Sequence, residues 1–236
     1  MAAASKLTNA SNDRPTRPKL KQTANSHKLE GMLQLAPYAQ GELDSLCGLY
    51  SIINAIRLVL YPVAPVSAAK SNKLFETGIE FLRQNDSLDP ALINGINVRR
   101  WKLLAALLAE QASTSKWSIV VEGTKRRASS RAIMRCIDNG IANGSAVLLH
   151  LGRRHQHYTV IAGVTPQSIL LFDSWRLVRA KRDGFVQRHD ITVSTMMRLT
   201  GDTFKLFVCF FCSVATCNGN SRNSGDRGIC SVRVTR

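Results

Sequence analysis

Two side chains that together can perform nucleophilic catalysis lie far apart in this 236-residue sequence, Cys47 and His157. A thiolate attacks carbonyl carbons well, but a free cysteine is only slightly ionised at neutral pH. The partial positive charge at a helix N-terminus favours the thiolate, and a neighbouring histidine takes up the thiol proton. Cys47 falls in the first turn of a predicted helix. Gly48 follows it, and its missing Cβ is expected to leave room for a substrate backbone.

A third group is expected to fix the tautomer of the His157 imidazole. His157 opens a predicted strand, HYTVIAGV, and the next predicted strand ends in Leu-Phe-Asp173-Ser-Trp175. In a short hairpin the start of one strand lies beside the end of its partner, so Asp173 is expected to reach the ring of His157. Trp175 is then expected to pack over these residues.

Each of these residues also has an ordinary structural interpretation. A cysteine in an apolar helix is often a small buried hydrophobe, and an aspartate at a strand end is often a turn residue. His155 shares the strand parity of His157 if that strand begins early, which makes it an alternative base. His150 is expected to face the core or the back of the sheet.

The elements that must position these residues are predicted as helices first and a sheet second. Apolar residues at three- and four-residue spacing predict helices at 46–60, 68–84, 97–112 and 129–142. Short apolar runs predict strands at 117–121, 146–151, 157–164, 169–172 and 204–211. Three consecutive strands with short connections indicate an antiparallel meander, and the whole pattern is typical of the α+β class.

One domain, residues 31–212, is expected between a disordered basic tail at 1–30 and a flexible C-terminal tail at 213–236. Residues 31–39 are predicted to be an extended segment, because Pro37 breaks a helix. Asp44 or Ser45 is expected to cap the helix that starts near Cys47.

The three segments around Cys47, His157 and Asp173 resemble the papain superfamily of cysteine peptidases. Over roughly residues 34–212 the chain is most similar to the double-glycine, bacteriocin-processing type. The resemblance implies a papain-like fold, with an N-terminal helical half packed on an antiparallel β-sheet half. It also implies Cys47 as nucleophile, His157 as base and Asp173 as the residue that orients it. Gln40 matches the family's oxyanion donor at a spacing one residue longer, with the backbone N–H of Cys47 as second donor.

Three functions are consistent with these residues. The first is hydrolysis of a peptide, isopeptide or related amide bond, which requires neither a metal nor an organic cofactor. The second is acyl or glutamyl transfer on the same residues, in which an amine instead of water resolves the acyl-enzyme. The third is a non-catalytic binding module that uses a basic surface to hold an anionic partner.

The chain is strongly basic, with a formal net charge of +16 from 32 Lys and Arg against 16 Asp and Glu. Such a charge attracts an acidic peptide or protein substrate, nucleic acid or an anionic membrane surface. The alternative is an ordinary solvated basic surface. The absence of a zinc-finger spacing and of an RNA-binding signature favours this alternative. Positive charge is concentrated in residues 1–30 and in two further clusters, Lys125, Arg126, Arg127, Arg131 and Arg135, and then Arg176, Arg179, Lys181 and Arg182.

The six cysteines do not predict a disulfide framework, because Cys47 and Cys136 lie in apolar helical contexts. The remaining four crowd near the C-terminus as Cys209, Cys212, Cys217 and Cys230. Their second pair is separated by twelve residues, which favours incidental cysteines over a zinc site. Neither a secretory signal nor a long apolar run is present, so a cytoplasmic protein is expected, or an effector delivered to another cell.

Overall fold

The computed structural model describes residues 26–123, 130–151, 156–182, 191–200 and 203–208. Within these ranges the helices are α1 (Gly31–Gln34), α2 (Cys47–Leu60), α3 (Ala68–Gln84), α4 (Leu88–Asn94), α5 (Val98–Ala112) and α6 (Ser130–Ala142). The strands there are β1 (His27–Lys28), β2 (Ile119–Gly123), β3 (Ala146–Leu151), β4 (His157–Val164), β5 (Ser168–Phe172), β6 (Arg179–Lys181), β7 (Ile191–Thr200) and β8 (Thr203–Val208).

The strands form one sheet in the order β2-β8-β7-β3-β4-β5-β6, and β1 pairs with the end of β4. The predicted antiparallel meander of β3, β4 and β5 is confirmed. The remaining pairings are antiparallel too, except that β2 runs parallel to β8. The chain is therefore an α+β protein of helices and a largely antiparallel sheet, as predicted.

The sheet buries both of its faces, and this determines which side chains reach the site. Tyr158 and Val160 of β4 join the core formed with α2 and α5, whereas Ile161 packs with Ile137 of α6 on the other face. All eight residues of β4 are buried. Because successive side chains of a strand point to opposite faces, the helices must cover the sheet from both sides.

The helix α2 is the centre of the larger core. Leu49, Ile52 and Ile56 are entirely buried in it, at the helical spacing that the sequence predicts. The helix contacts β3 and β4 below it and α3 and α5 at its sides. Burying one such side chain contributes roughly 1.5–3 kcal/mol, so the first turn of α2 is anchored by the turns that follow it.

The N-terminal part of the domain differs from the prediction. His27 and Lys28 pair with Val164 and Gly163, and Leu29 is buried with its N–H donating to Ala162. The predicted tail boundary at residue 30 is therefore wrong for residues 27–30, because an apolar Leu29 between polar neighbours is too short a signal to indicate a strand. Residues 1–25 and the predicted tail at 213–236 lie outside the described residues.

Three further elements differ from the prediction. The segment 31–39, predicted to be extended throughout, begins with the short helix α1. The helix α4 was not predicted, since seven residues with Pro90 in the first turn give little periodicity. The strands β6 and β7 were not predicted either, and β7 separates β3 from β8. None of the helices in the described part combines the length and apolar character that crossing a bilayer requires.

Candidate active site

Cys47 is the first residue of α2 and is 5% exposed. The loop before it is folded by Asp44, whose carboxylate accepts the N–H of Leu46 at 2.9 Å and that of Gly41 at 3.0 Å. Neither Asp44 nor Ser45 therefore caps α2 as predicted. Asp44 accepts N–H groups of the loop, and Ser45 Oγ donates to the carbonyl of a residue in α4. Leu46, the residue before α2, makes no side-chain cap, and the partial positive charge at the start of this helix favours a negative charge on the thiol.

His157 and Asp173 meet as the hairpin of β4 and β5 predicts. His157 Nε2 lies 2.6 Å from Asp173 Oδ2, and their side chains are 4% and 0% exposed. The other oxygen, Asp173 Oδ1, accepts the backbone N–H of Trp175 at 2.8 Å and of Leu177 at 3.0 Å. Since both carboxylate oxygens are held, the aspartate fixes the orientation of the imidazole.

The side chain of Cys47 lies near the imidazole of His157 and acts on its pKa. Because Nε2 is bonded to Asp173, Nδ1 is the ring nitrogen left for the thiol. Burial lowers the pKa of His157, but the hydrogen bond and charge of Asp173, together with the neighbouring Cys47, outweigh it and raise the pKa to about 9. The imidazole is therefore protonated at neutral pH.

The carboxylate of Asp173 stays ionised although it is buried. Burial raises its pKa, but the hydrogen bond and charge of His157 and the N–H of Leu177 lower it further, and the net shift is downward. The hydroxyl of Thr159 also lowers this pKa. The structure thus brings Cys47, His157 and Asp173 together, with a hydrogen bond between His157 and Asp173.

Below Cys47 lies a stack of aromatic rings that sequence reasoning did not identify. Trp101 of α5 donates its Nε1–H to the carbonyl of Gly48 at 2.9 Å, and its ring lies 4.3 Å from that of Tyr158. Tyr158 donates its hydroxyl to the carbonyl of Ile96 at 2.7 Å. A tryptophan among Leu and Ala in a buried helix, and a tyrosine directly after His157, are the signals that the sequence offers for this stack.

Gly48 is required by this stack and not by a substrate, which corrects the sequence interpretation. A Cβ on Gly48 would lie 3.1 Å from Cδ1 of Trp101 and 3.3 Å from Cδ2 of Tyr158. Both distances are tighter than ordinary van der Waals contact, and neither ring has room to move within the core. The missing Cβ therefore lets the two rings pack beneath the start of α2.

His150 lies in the core, as one of the two predicted alternatives requires. Its ring stacks on Tyr158 at 4.4 Å, and burial together with the charge of His157 lowers its pKa to about 4. It is therefore neutral where His157 is charged. Its Nδ1 makes no hydrogen bond within the described part of the chain. His155, which was the alternative base, lies outside the described residues.

Gln40 lies between the two halves of the site. Its backbone N–H donates to the carbonyl of Ser174 at 3.0 Å, and its Nε2 donates to the carbonyl of Asp44. It therefore ties the loop before Cys47 to the strand end that carries Asp173. One hydrogen of Nε2 is used in this bond, and Oε1 is buried without a hydrogen-bond partner in the described part of the chain.

Within the described ranges no three His, Cys, Asp or Glu side chains are arranged to hold a metal ion. Cys209, Cys212, Cys217 and Cys230, the residues considered for zinc, lie outside those ranges.

Comparisons with protein families, with curated proteins and with solved structures gave no match. The chemistry of the site must therefore be inferred from its own geometry.

Proposed function

We propose that this chain is a cysteine-dependent hydrolase with a papain-like arrangement, which cleaves a peptide, isopeptide or related amide bond. The observation that carries the proposal is the series Cys47–His157–Asp173. Three separate segments contribute to it, the thiol lies at a helix N-terminus, and the imidazole is bonded to the carboxylate and lies near the thiol. These are the group types that nucleophilic catalysis uses, which supports the proposal.

The first half of the reaction follows from this arrangement. The Cys47 thiolate attacks the carbonyl carbon of the amide, and the negative charge moves to the carbonyl oxygen. The N–H of Cys47 and Gln40 Nε2 are the proposed donors to that oxyanion. The oxyanion then collapses, the carbon–nitrogen bond breaks, and the His157 imidazolium gives its proton to the leaving amine. The product is a thioester on Cys47 and a free amine.

The second half releases the acyl group. Water takes the place of the amine, and the now neutral His157 accepts a proton from it as it attacks the thioester. The carbon–sulfur bond breaks, the carboxylic acid leaves, and the proton returns the pair to thiolate and imidazolium. Asp173 keeps its charge throughout and holds the imidazole in one tautomer.

A purely structural role for these groups is the less favourable explanation. A buried carboxylate and a buried imidazolium each cost several kcal/mol to desolvate, and apolar residues of similar volume often stabilise a core as well. Ionisable groups with strongly shifted pKa values that lie together are instead characteristic of active sites. The pKa of His157 at about 9 and that of His150 at about 4, on neighbouring strands, fit that pattern.

The test is alkylation of the intact protein with limiting iodoacetamide near neutral pH, followed by peptide mapping. We expect Cys47 to react at least about 10-fold faster than the half-buried Cys136, because the thiolate is the reactive form. His157→Ala should remove this difference, and His27→Ala, a histidine of β1, is the matched control. An unreactive Cys47 in a protein with a native circular dichroism spectrum would refute the proposal.

Turnover is tested separately with a panel of fluorogenic peptide amides. Wild type is compared with Cys47→Ala, which removes the nucleophile without adding volume to a buried position. Hydrolysis in the wild type alone, through an acyl-enzyme trapped by mass spectrometry, is the expected result. Equal rates in both proteins would assign the hydrolysis to a contaminant.

A further inference from the structure

The segment that follows Asp173 exposes apolar side chains beside the proposed active site. Residues 175–181, called the strap here, follow the end of β5 and include β6. Trp175 is 66% exposed and Val178 69% exposed, and Leu177 between them is also exposed. The ring of Trp175 lies 5.7 Å from the ring of His157. The strap therefore borders the residue that protonates the leaving amine.

The strap is held in one conformation by its backbone. Asp173 accepts the N–H groups of Trp175 and Leu177, and the N–H of Leu171 donates to the carbonyl of Val178 at 2.9 Å. Arg176 lies between them with a φ of 65°, a left-handed conformation that a non-glycine residue adopts at a cost. A fixed backbone that presents large apolar side chains to solvent is characteristic of a binding surface.

The strap is also cationic. Arg176, Arg179 and Lys181 are exposed and form no ion pair with a described residue, whereas Arg182 is paired with Asp138. Residues 174–182 contain no Asp or Glu. An occupant that places carboxylates against these cations would neutralise them, and one that also carries apolar side chains would cover Trp175 and Val178.

We propose that the strap binds the leaving-amine side of the substrate, and that this side carries acidic and apolar residues. The inference rests on the proposed hydrolysis, because His157 must reach the leaving nitrogen and the chain attached to that nitrogen then passes Trp175. The positive charge of this chain excludes both its own N-terminal residues and a second copy as the molecule bound to the strap. The N-terminal residues 1–25 are themselves basic, and a second copy carries a net charge of +16.

Binding is measured by fluorescence anisotropy on full-length Cys47→Ala, which retains the strap but has no nucleophile. The probes are three fluorescein-labelled decapeptides, with alternating Glu and Leu, alternating Lys and Leu, and alternating Glu and Ser. We expect the Glu–Leu peptide to bind at least about 10-fold more tightly than either of the others, because only it matches both the charge and the apolar surface.

Variants then locate the binding on the strap. Arg176→Glu with Arg179→Glu should weaken binding of the Glu–Leu peptide about 10-fold, and Val178→Ser should weaken it about 3-fold. The matched control, Lys73→Glu with Lys116→Glu, makes the same change in net charge on exposed residues outside the strap and should change binding less than about 2-fold. A control that weakens binding equally would overturn the inference, since net charge alone would then explain it.

The outcomes separate this inference from the proposed function. Rapid alkylation of Cys47 with equal binding of all three peptides would leave the hydrolase proposal standing and overturn the role of the strap. Selective binding with an unreactive Cys47 would retain the acidic, apolar partner and refute hydrolysis. Strap-dependent binding of a labelled single-stranded DNA, without selective peptide binding, would replace the peptide with nucleic acid and overturn the inference.

Discussion

One oxygen of Asp173 lies 2.6 Å from His157 Nε2 while its other oxygen holds the backbone of the strap. A single carboxylate therefore orients the imidazole and also fixes the surface beside it. Because the side chain is fully buried and ionised, a neutral residue there would remove a charge from a region of low dielectric. Asp173 thus positions both the proposed catalytic histidine and the proposed substrate-binding surface.

Asp173→Asn should lower kcat about 10²–10⁴-fold, because the imidazolium loses its charged partner and the ring loses its fixed tautomer. The pKa of His157 should fall from about 9 as a hydrogen-bond acceptor and a negative charge disappear. The shift is measured from the C2–H resonance of His157 by NMR titration. Asp138→Asn, which removes the partner of Arg182, is the control and should leave that resonance unchanged.

The free energy of unfolding should decrease at alkaline pH because His157 loses its proton. Its pKa is about 9 in the folded protein and 6.5 as the ordinary value, so the folded state binds this proton more tightly. The resulting stabilisation is fully present below pH 6.5 and is lost as the pH rises through about 9. Urea unfolding of wild type and His157→Gln at several pH values measures it, and the two stability curves should converge above that range. Curves that stay parallel would show that His157 does not titrate in this way.

Gln40→Ala should separate oxyanion stabilisation from thiol reactivity. Loss of one donor is expected to lower kcat about 10²–10³-fold, because the donor is needed only when the carbonyl oxygen becomes negative. Alkylation of Cys47 by iodoacetamide forms no oxyanion, so its rate should change little. If both rates fall together, Gln40 acts through its bond to Asp44 and positions the loop instead.

Trp101→Phe should loosen the start of α2. The variant keeps a ring against Tyr158 but removes the donor to the buried carbonyl of Gly48, which costs about 1–3 kcal/mol. We expect a lower free energy of unfolding together with slower alkylation of Cys47. Trp117→Phe, outside this stack, serves as the comparison and should leave the alkylation rate unchanged. Normal alkylation in Trp101→Phe would show that the stack does not position the thiol.

The sequence predicts that Cys47, His157 and Asp173 lie together because each residue carries a local signal. Cys47 begins a strongly periodic helix. His157 begins the first strand of one short hairpin and Asp173 follows the second strand, so the chain direction brings both to its open end. Trp101 reaches Gly48 across 53 residues, and nothing local indicates that contact. The reason for Gly48 was missed with it, since it depends on two rings from other elements.

The order of the strands is the other feature that local patterns do not determine. The strand β7 lies between β3 and β8, and β2 joins β8 in parallel. The pairing of β3 with β7 and that of β2 with β8 connect distant parts of the chain. Alternation within a strand specifies which faces its side chains occupy but not which strands lie beside it. The short strand β1 is a third case, because two paired residues are too few to create a periodic signal.

The single indole hydrogen bond from α5 to Gly48 makes the thiol's position depend on a helix that contributes no reactive group. Any change that shifts α5 by a fraction of an ångström moves the first turn of α2 with it. Mutations scattered along α5, and moderate heating, should therefore slow the alkylation of Cys47 while most of the protein is still folded. Loss of thiol reactivity and unfolding would then be two separate events, and a screen for slow alkylation would recover α5 as readily as His157 and Asp173.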